Sequence, residues 1–417
     1  MNRIVLIGNG FDLAHGLKTS YADFIYWYWK QRVRNLYEMN SKWSDDNLCK
    51  LTILTDITWS TFVFYNNQYL RNSEGKKIYN DLRDNKEDFK IEFTQFFKRI
   101  HKSIETKGWV DIENDYYELL KKYALENASE APIDDLNTQL YDLQVLLVEY
   151  LKSIEISDKL IKSDIRQKIY APFKIQDVSI ESQQALKEHV EYGLNLDNKS
   201  LDSKFRQYGG HCYTSGFVDD YRVKYGNNIL KDDELPPELL LPNNIMLLNF
   251  NYTHTAQLYL KEGSIFSVNQ IHGDLKEPKS VIFGYGDELD DDYKTIVNKN
   301  ENKFLGNIKS IKYLEADNYR RLLSFIESEP YQIIIMGHSC GNSDRTLLNT
   351  LFEHKNCVSI KPYYHQIDEE HDDYIKIVQN ISRNYTDMKL MRDRVVNKTY
   401  CEPLTNRTND IKLLKLE

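Results

Sequence analysis

The sequence lacks the cysteine pattern of a small module held together by metal ions or disulfides. Its five cysteines are odd in number and widely scattered, and no C-x-x-C pair occurs. Zinc-ribbon and thioredoxin-like sites therefore have no support. Reduced and mostly buried thiols are expected instead, as is typical of a cytosolic protein. The cysteines are Cys49, Cys212, Cys340, Cys357 and Cys401.

Long apolar runs and an excess of positive charge are also missing. No stretch approaches the roughly 20 apolar residues of a membrane span, and the run Ile4–Ile7 is too short for a secretory signal core. The net charge of −9 argues against a general binder of phosphate backbones. We expect a cytoplasmic protein without a membrane partner. The charge argues against nucleic acid as a partner but does not exclude it.

The composition is that of an ordinary globular protein. The chain has 417 residues, of which 41% are hydrophobic and 28% charged, and such a length accommodates about two to four domains. Aromatic residues make up 12% of the chain. That content excludes a disordered or low-complexity protein.

Strand-like runs cluster at the two ends of the chain. The apolar run before Gly8 ends abruptly on glycine, as buried parallel strands do, and similar runs return only near residue 245. Helical patterns at Tyr319–Glu329 and Arg345–Lys355 lie between some of them, which favours a parallel sheet with helices on its faces. The later strand-like runs are Ile245–Phe250, Ser267–Ile271, Val281–Phe283, Gln332–Met336 and Val358–Ile360.

The middle of the chain has helical patterns instead. Two sets of apolar residues have the spacing of a helix face: Phe89, Phe93, Phe96 and Ile100, and Leu136, Leu140, Leu143 and Leu147. The second set follows a helix-entry signal at Pro132 and Asp134, and prolines near 232–244 mark a boundary. The prediction is an α/β domain of residues 1–21 and 241–417, split by an α-helical insertion of residues 22–240.

A Gly-x-Gly turn, Gly8-Asn9-Gly10, follows the first strand-like run. Such a turn lets the backbone approach a phosphate at the N-terminus of a helix. The third small residue of the dinucleotide fingerprint is replaced by Leu13, and no second strand ending in an acid follows. An ordinary dehydrogenase site is therefore not expected, and a merely tight turn between strand and helix is the alternative.

Polar residues also follow two later strand-like runs. Asn251, in the run NFNY, would lie beyond the carboxyl end of a strand, where parallel sheets bind ligands, and its amide can hold a ribose hydroxyl or a water. His272 precedes a glycine and has the chemistry of a general base near neutral pH. A turn-capping asparagine and a structural histidine are the alternatives. Gly284 and Gly286 add a second loop suited to close backbone approach.

The run GHSCGNSD, after Gln332–Met336, fits the G-x-S-x-G pattern of a nucleophile elbow around Ser339. That pattern requires an acid and then a histidine downstream, and the histidines that follow lie close to Ser339 in sequence. A ligand-holding loop is the better interpretation. In such a loop Gly337 turns the backbone, the Ser339 hydroxyl forms a hydrogen bond, and Ser343 or Asp344 caps the next helix.

The order of these motifs resembles the bacterial abortive-infection AbiH family. IGNGFDLAHGLKTSYADF is similar to the N-terminal signature of that family, and NFNYT, IHG, FGYG and GHSCGNSD match its later blocks. AbiH-like proteins in turn resemble the sirtuin-type NAD-binding fold of phage-defence NAD hydrolases. The resemblance implies a Rossmann-like (sirtuin-like) parallel sheet, with NAD as substrate or ligand and no metal.

The resemblance also implies roles for single residues. Asn251 would contact the nicotinamide ribose and His272 would be the catalytic base, while Asp12 could replace an acid that is Thr253 here. The other predicted nucleotide contacts are Gly8, Asn9 and Gly10 at the pyrophosphate, Phe11 and Gly284 in nearby loops, and Gly337, Ser339 and Asp344 at the adenosine ribose. The zinc module of sirtuin deacetylases is absent, which argues against protein deacylation.

The sequence thus predicts an antiphage effector that binds NAD or a related nucleotide and hydrolyses its nicotinamide–ribose bond. One alternative is a sensor that binds NAD or ADP-ribose without hydrolysis. Another is a metal-dependent nuclease or nucleotide-processing effector that uses Asp12, Asp274 and Asp344. A phage protein trigger, a partner defence protein and a homo-oligomer are left open.

Overall fold

The computed structural model describes residues 1–56, 58, 60, 73–108, 110–126, 130–154, 156–157, 160–208, 223, 235 and 237–405. Cys212 and part of the predicted boundary at 232–244 lie outside the described residues. The chain forms two compact units. The first comprises Met1–Gly16, Ile156–Val281 and Tyr313–Glu417, and the second Leu17–Glu155 and Ile282–Lys312.

The described residues contain eight strands and fifteen α-helices. The strands are β1 (Asn2–Ile7), β2 (Trp43–Asp45), β3 (Cys49–Ile53), β4 (Phe89–Phe93), β5 (Ile245–Asn249), β6 (Phe266–Gln270), β7 (Tyr331–Met336) and β8 (Cys357–Tyr363). The helices are α1 (Asn9–Ala14), α2 (Tyr21–Glu38), α3 (Gly75–Asp84), α4 (Gln95–Lys107), α5 (Ile112–Leu125), α6 (Glu130–Lys152), α7 (Ser163–Tyr170), α8 (Gln183–Asn195), α9 (Asn198–Gln207), α10 (Asp291–Val297), α11 (Lys309–Lys312), α12 (Asn318–Ser328), α13 (Arg345–Phe352), α14 (Tyr374–Arg383) and α15 (Met388–Arg394). Over this part of the chain, no helix combines the length and apolar character needed to cross a membrane.

The first unit is built around a five-stranded sheet in the order β6-β5-β1-β7-β8, and all its strand pairs are parallel. Counted along the chain, this order is 3-2-1-4-5. The chain therefore builds one side of β1 first and then crosses to the other side. All six residues of β1 are buried, as expected for a central strand covered on both faces.

The predicted α/β class with a parallel sheet is confirmed. Strands β1, β5, β6 and β7 begin and end within a residue or so of the predicted runs, and β8 is longer than predicted. The predicted strand Val281–Phe283 is wrong, because these buried residues form an irregular segment between a short turn and Gly284. Three apolar residues indicated burial there, but burial alone does not supply a neighbouring strand.

The second unit contains an antiparallel sheet, β2-β3-β4, that was not predicted. The helix face predicted from Phe89 and Phe93 is wrong, because Phe89–Phe93 is strand β4 and pairs with β3. Its apolar residues alternate with Lys90 and Glu92, which is the period of a strand. The Thr94 side chain accepts a hydrogen bond from the Phe97 N–H and caps α4, so the helix begins only at Gln95.

The other predicted helix face is confirmed. It forms the buried side of α6, and its four leucines are each less than one-tenth exposed: Leu136, Leu140, Leu143 and Leu147. The pattern succeeds here because a 23-residue helix repeats the apolar spacing over several turns.

The two units divide the chain differently from the predicted insertion at 22–240. Residues of α7 belong to the first unit, where Ile165 and Ile169 pack with Val5 and Ile7 of β1 in one core. Residues 282–312 belong to the second unit. The helical part of the middle region is thus shared between both units.

The turn between β1 and α1 is in close backbone contact with the loop after β7. The Gly10 N–H donates to the Gly337 carbonyl at 2.8 Å. A Cβ atom on Gly8 would lie 2.5 Å from the His338 Cα, and one on Gly337 would lie 2.0 Å from the Phe11 nitrogen. Gly337 also has a φ of +72°, where any other residue is strained. The contact therefore requires glycine on both sides.

We predict that Gly337→Ala lowers the free energy of unfolding by about 3 kcal/mol or more, because it combines left-handed strain with a backbone clash. Gly16→Ala is the matched control, since Gly16 has a φ of +78° but open space around an added Cβ. It should lose only about 1–2 kcal/mol. Urea denaturation measures both values, and equal losses would contradict the tight contact.

Candidate functional site

Polar side chains follow the carboxyl ends of four neighbouring strands of the parallel sheet. Asp12 follows β1, Asn251 follows β5, His272 follows β6 and Asp344 follows β7. The order of the strands reverses between β1 and β7. Open parallel sheets bind ligands in the crevice outside the carboxyl ends, at such a reversal. This edge is the candidate functional site.

His272 is buried, and both its nitrogens are engaged. Nδ1 lies 3.2 Å from the Phe250 carbonyl oxygen, which can only accept a hydrogen bond, so Nδ1 carries the N–H. Nε2 lies 3.1 Å from the Tyr313 hydroxyl and 3.2 Å from Oδ1 of Asp344. Nε2 is therefore the nitrogen that can exchange a proton with a neighbouring group.

A second buried histidine, His338, was not predicted as a site residue. Its Nδ1 accepts a hydrogen bond from the Cys340 N–H at 3.0 Å, so its neutral form carries the proton on Nε2. That nitrogen lies 3.7 Å from Oδ2 of Asp344. The Asp344 carboxylate thus lies between the Nε2 atoms of His272 and His338. The only sequence feature that could have marked His338 as a site residue is its position just after a buried strand.

Phe250 fixes both imidazole rings. Its ring centroid lies 4.2 Å from that of His338 and 5.2 Å from that of His272, and its carbonyl holds Nδ1 of His272. On its other side, His272 stacks with Tyr313 at an interplanar angle of 6°. These contacts restrict the rotation of both rings and hold His272 towards Asp344.

Asn251 connects the end of β5 to the turn after β1. Its Nδ2 donates to the Gly8 carbonyl at 3.0 Å, and its backbone N–H donates to Oδ1 of Asn249 at 3.1 Å. Asn251 also directly follows Phe250 in the chain. Because the Phe250 carbonyl holds His272, the structure brings Asn251 and His272 close together. The sequence predicted that both residues lie beyond strand ends at one edge of the sheet.

Asp12 is almost fully buried at the same edge. Its Oδ2 accepts a hydrogen bond from the Thr253 hydroxyl at 2.5 Å. Burial raises the pKa of Asp12 to about 6, and the side chains of Thr253, Thr255 and Asn251 oppose that shift because they stabilise the charged form. Asp12 therefore changes charge close to neutral pH.

The Gly-x-Gly turn binds protein carbonyls in this structure. The Gly8 N–H donates to Met336 at 3.3 Å, and the Gly10 N–H donates to Gly337 at 2.8 Å. A phosphate held by these two amides would have to displace both bonds. Of the flanking residues, Asn9 is exposed, and Phe11 is buried in the main core of the first unit.

Gly284 belongs to the second unit. Its N–H donates to Oε1 of Glu113 at 3.1 Å, and the other oxygen of that buried carboxylate pairs with Lys309 at 3.0 Å. A Cβ atom on Gly284 would lie 2.0 Å from the Asn307 carbonyl oxygen. The contacts of Gly284 are thus those of a tightly packed structural loop, and its predicted nucleotide contact stays a prediction.

The loop after β7 differs from a nucleophile elbow. The non-glycine residue with positive φ in this loop is Cys340 rather than Ser339, whereas the elbow strains the nucleophile itself. Ser339 is exposed, and its carbonyl accepts a hydrogen bond from Asn380 at 2.7 Å. Asp344 directly precedes α13 but makes no capping hydrogen bond. Of the two residues predicted to cap this helix, Ser343 and Asp344, the Asp344 side chain does not do so, because its carboxylate faces the two histidines instead.

The three aspartates of the metal-dependent alternative have separate partners. Asp12 accepts from Thr253, Asp274 pairs with His254 at 2.7 Å, and Asp344 lies between two histidines. Among the described residues, no three histidine, cysteine or acidic side chains are grouped as metal ligands.

The fold and site define an α/β protein with a histidine–aspartate cluster at the carboxyl edge of a parallel sheet. A family model described as "Bacteriophage abortive infection AbiH" matches residues 4–365. The chain therefore belongs to the AbiH family, which confirms the resemblance and assigns the chain to phage abortive-infection defence. No curated protein and no solved structure matches it.

The buried Asp12 carboxyl predicts a pH-dependent stability. Its pKa is about 6 in the folded chain against an ordinary value of 3.8, so the folded state binds the proton more tightly. Stability should fall as the pH rises from about 4 to 6, by about 3 kcal/mol at most. In Asp12→Asn this fall should be missing. Urea denaturation between pH 4 and 7 measures it, and identical slopes in both proteins would contradict the assignment.

Proposed function

We propose that this AbiH protein binds NAD at the carboxyl edge of its parallel sheet and hydrolyses the nicotinamide–ribose bond. The observation that carries the proposal is the meeting of Asn251, His272 and Asp344 beside the turn after β1. The strand order 3-2-1-4-5 also equals the first five strands of the doubly wound Rossmann order. It supports the Rossmann-like, sirtuin-like fold that the resemblance implies.

The reaction needs a held ribose, one positioned water and a base. The water oxygen attacks the ribose carbon as the bond to the nicotinamide nitrogen breaks. The bonding electron pair leaves with neutral nicotinamide, and a proton of the water passes to the base. The ribose carries oxocarbenium character at this point, so a site that fixes the ring and excludes bulk water accelerates the step.

His272 is the proposed base, through Nε2. Its Nδ1 proton faces the Phe250 carbonyl, which leaves the lone pair of the neutral ring on Nε2. When Nε2 takes the proton of the water, the Asp344 carboxylate at 3.2 Å faces the new N–H and stabilises the imidazolium. The Tyr313 hydroxyl, 3.1 Å from Nε2, occupies the position of the water and moves aside when substrate binds.

Asn251 is the proposed positioning residue for the ribose hydroxyls or the water. Its bond to the Gly8 carbonyl fixes its side chain against the turn after β1. Asp12 supports this arrangement as a buried acid next to Thr253. Since the Gly8 and Gly10 amides bind protein carbonyls, the proposal rests on the ribose end of NAD rather than on its pyrophosphate.

The burial of His272 favours one second candidate, a sensor that binds NAD or ADP-ribose without cleaving it. The side chain is only 4% exposed, and its two nitrogens contact Phe250, Tyr313 and Asp344. A ligand could be held at this edge while Tyr313 stays on Nε2. No water would then reach the base, and binding would change stability without forming a product.

Nicotinamide release from NAD tests the proposal. We predict turnover by the full chain that falls by about 100-fold or more in His272→Ala, which is the usual contribution of a general base. Asn251→Ala should also lower the rate. His371→Ala is the control, because His371 is exposed and, among the residues that the structure describes, its ring pairs only with Asp368; its rate should not change. The same measurement in cells during phage infection includes any trigger that the phage supplies.

The possible results separate the alternatives. Turnover that is unchanged in His272→Ala contradicts the assignment of the base. Turnover that is lost in His254→Ala but kept in His272→Ala assigns the base to the more exposed His254–Asp274 pair. A melting temperature that rises with NAD, without nicotinamide release in purified protein or infected cells, supports the sensor.

A further inference from the structure

A polar cavity lies in the first unit, on the face of the parallel sheet that α7 covers. Its lining runs from Arg3 near the start of β1 to Tyr363, which pairs with Met336 at the end of β7. Its floor is formed by side chains of β1, β7 and β8, including Arg3, Gln332 and Lys361, and α7 covers it with Lys168. Its volume is about 220 Å³. Ligand pockets for drug-sized molecules have about 300–1,000 Å³, so this cavity suits a smaller molecule than a dinucleotide.

The strand register places the polar floor. Arg3 lies opposite Gln332, and Gln332 lies opposite Ser359, so these three residues form one row across the sheet. The Nε and one terminal nitrogen of Arg3 donate to Oε1 of Gln332, and Gln332 donates to Ser359. Four strand residues separate Arg3 from Gly8, a rise of roughly 15 Å. This cavity is thus distinct from the candidate site at the carboxyl edge.

Two buried cations of this cavity lack an acidic partner. Arg3 and Lys168 are 2% and 7% exposed, and their remaining hydrogen bonds go to backbone carbonyls. Those of Arg3 are the carbonyls of Ile169 and Ala171, and those of Lys168 are the carbonyls of Pro403 and Leu404. Within the described residues, no carboxylate pairs with either side chain. A buried charge without a counter-charge destabilises a protein by several kcal/mol.

A third buried cation is neutralised by the protein itself. Lys361 pairs with Oδ2 of Asp177 at 2.8 Å, and both side chains are 3% exposed. The other carboxylate oxygen, Oδ1, is buried without a hydrogen bond. Burial also lowers the pKa of Lys168 and of Arg3, and this effect outweighs the opposing charges of Glu402 and Asp164 near Lys168 and of Asp177 near Arg3. The lining has four basic residues, Arg3, Lys168, Lys174 and Lys361, and three acidic ones, Asp164, Asp177 and Glu402, so its formal net charge is +1. Next to the two cations that form no ion pair lies one unused acceptor, Oδ1 of Asp177.

We propose that this cavity binds a small organic anion that also carries a hydroxyl group. Its phosphate or carboxylate lies among Arg3, Lys168 and Lys361, and a hydroxyl donates to Oδ1 of Asp177. The anion supplies the counter-charge that Arg3 and Lys168 lack. Because the cavity is too small for NAD and none of its lining residues belongs to the candidate site, this binding does not depend on the proposed hydrolysis.

Isothermal titration calorimetry on the full chain tests the proposal with three probes. Ribose 5-phosphate presents a phosphate with hydroxyls, gluconate presents a carboxylate with hydroxyls, and ribose is the neutral control. We expect at least one anion to bind and ribose to bind at least tenfold more weakly. Tighter binding of ribose 5-phosphate identifies a phosphate as the preferred anionic group, and tighter binding of gluconate identifies a carboxylate. Failure of both anions to bind, or equal binding of ribose, overturns the proposal.

Two substitutions locate the binding. Lys168→Met replaces one cation with an uncharged side chain of similar length and should weaken anion binding by at least tenfold. Because that change also leaves two carbonyls without a donor, Gln167→Glu is a second variant that avoids the core: Gln167 is exposed and lines the rim. The negative charge that this substitution adds should weaken anion binding several-fold. Gln379→Glu, an equal change on the exposed side of α14, should have no effect. Anion affinity that is unchanged in Gln167→Glu and in folded Lys168→Met overturns the assignment to this cavity.

Discussion

The contact between Gly10 and Gly337 fixes the start of α1 and the loop after β7, which carry Asp12, His338 and Asp344 of the candidate site. Ile7 and Met336 are paired at the ends of β1 and β7, so both strands stop at the same level. The bond from Gly10 to Gly337 then holds the start of α1 against the loop after β7. Asp12 lies on one side of this contact and Asp344 on the other. A side chain at either glycine would separate them.

The site also balances its charge with few groups. Two buried histidines share one carboxylate, Asp344, and burying an excess of charge is unfavourable. Nδ1 of His338 accepts the Cys340 N–H and therefore carries no proton in this arrangement. When His272 takes up a proton in the proposed reaction, its charge neutralises that of Asp344. Because the cluster has so few charged groups, two imidazole rings fit around a single acid in an apolar environment formed partly by Phe250.

Sequence patterns predicted the parallel sheet well because its strands are short apolar runs. Those of β1 and β7 stop at a glycine, and that of β5 ends on Asn249. They also predicted Asn251 and His272, since polar residues beyond such runs meet at one edge of a sheet. The patterns failed at Phe89–Phe93. There a strand is followed at Thr94 by a capped helix, and the apolar residues of the two elements together have the spacing of one helix face. They missed His338 and Tyr313, because the partners of these residues lie far away in the chain. For Asp344 the patterns predicted helix capping, with Ser343 as the alternative, and they did not register the two buried histidines beside its carboxylate.

The central position of β1 has a consequence for the order of folding. Ile4 pairs with Met246 on one side and with Ile333 on the other, so both neighbours of β1 are synthesised long after it. At about 5–20 residues per second, the ribosome needs roughly 15 to 65 s to reach β7 after β1. Until β5 is synthesised, β1 has no native neighbour, and it lacks β7 throughout that time. A sheet with such distant pairings is intrinsically slow to form. The histidine–aspartate cluster cannot assemble before β7 and its following loop have left the ribosome, so a nascent chain of this defence protein cannot yet contain the site.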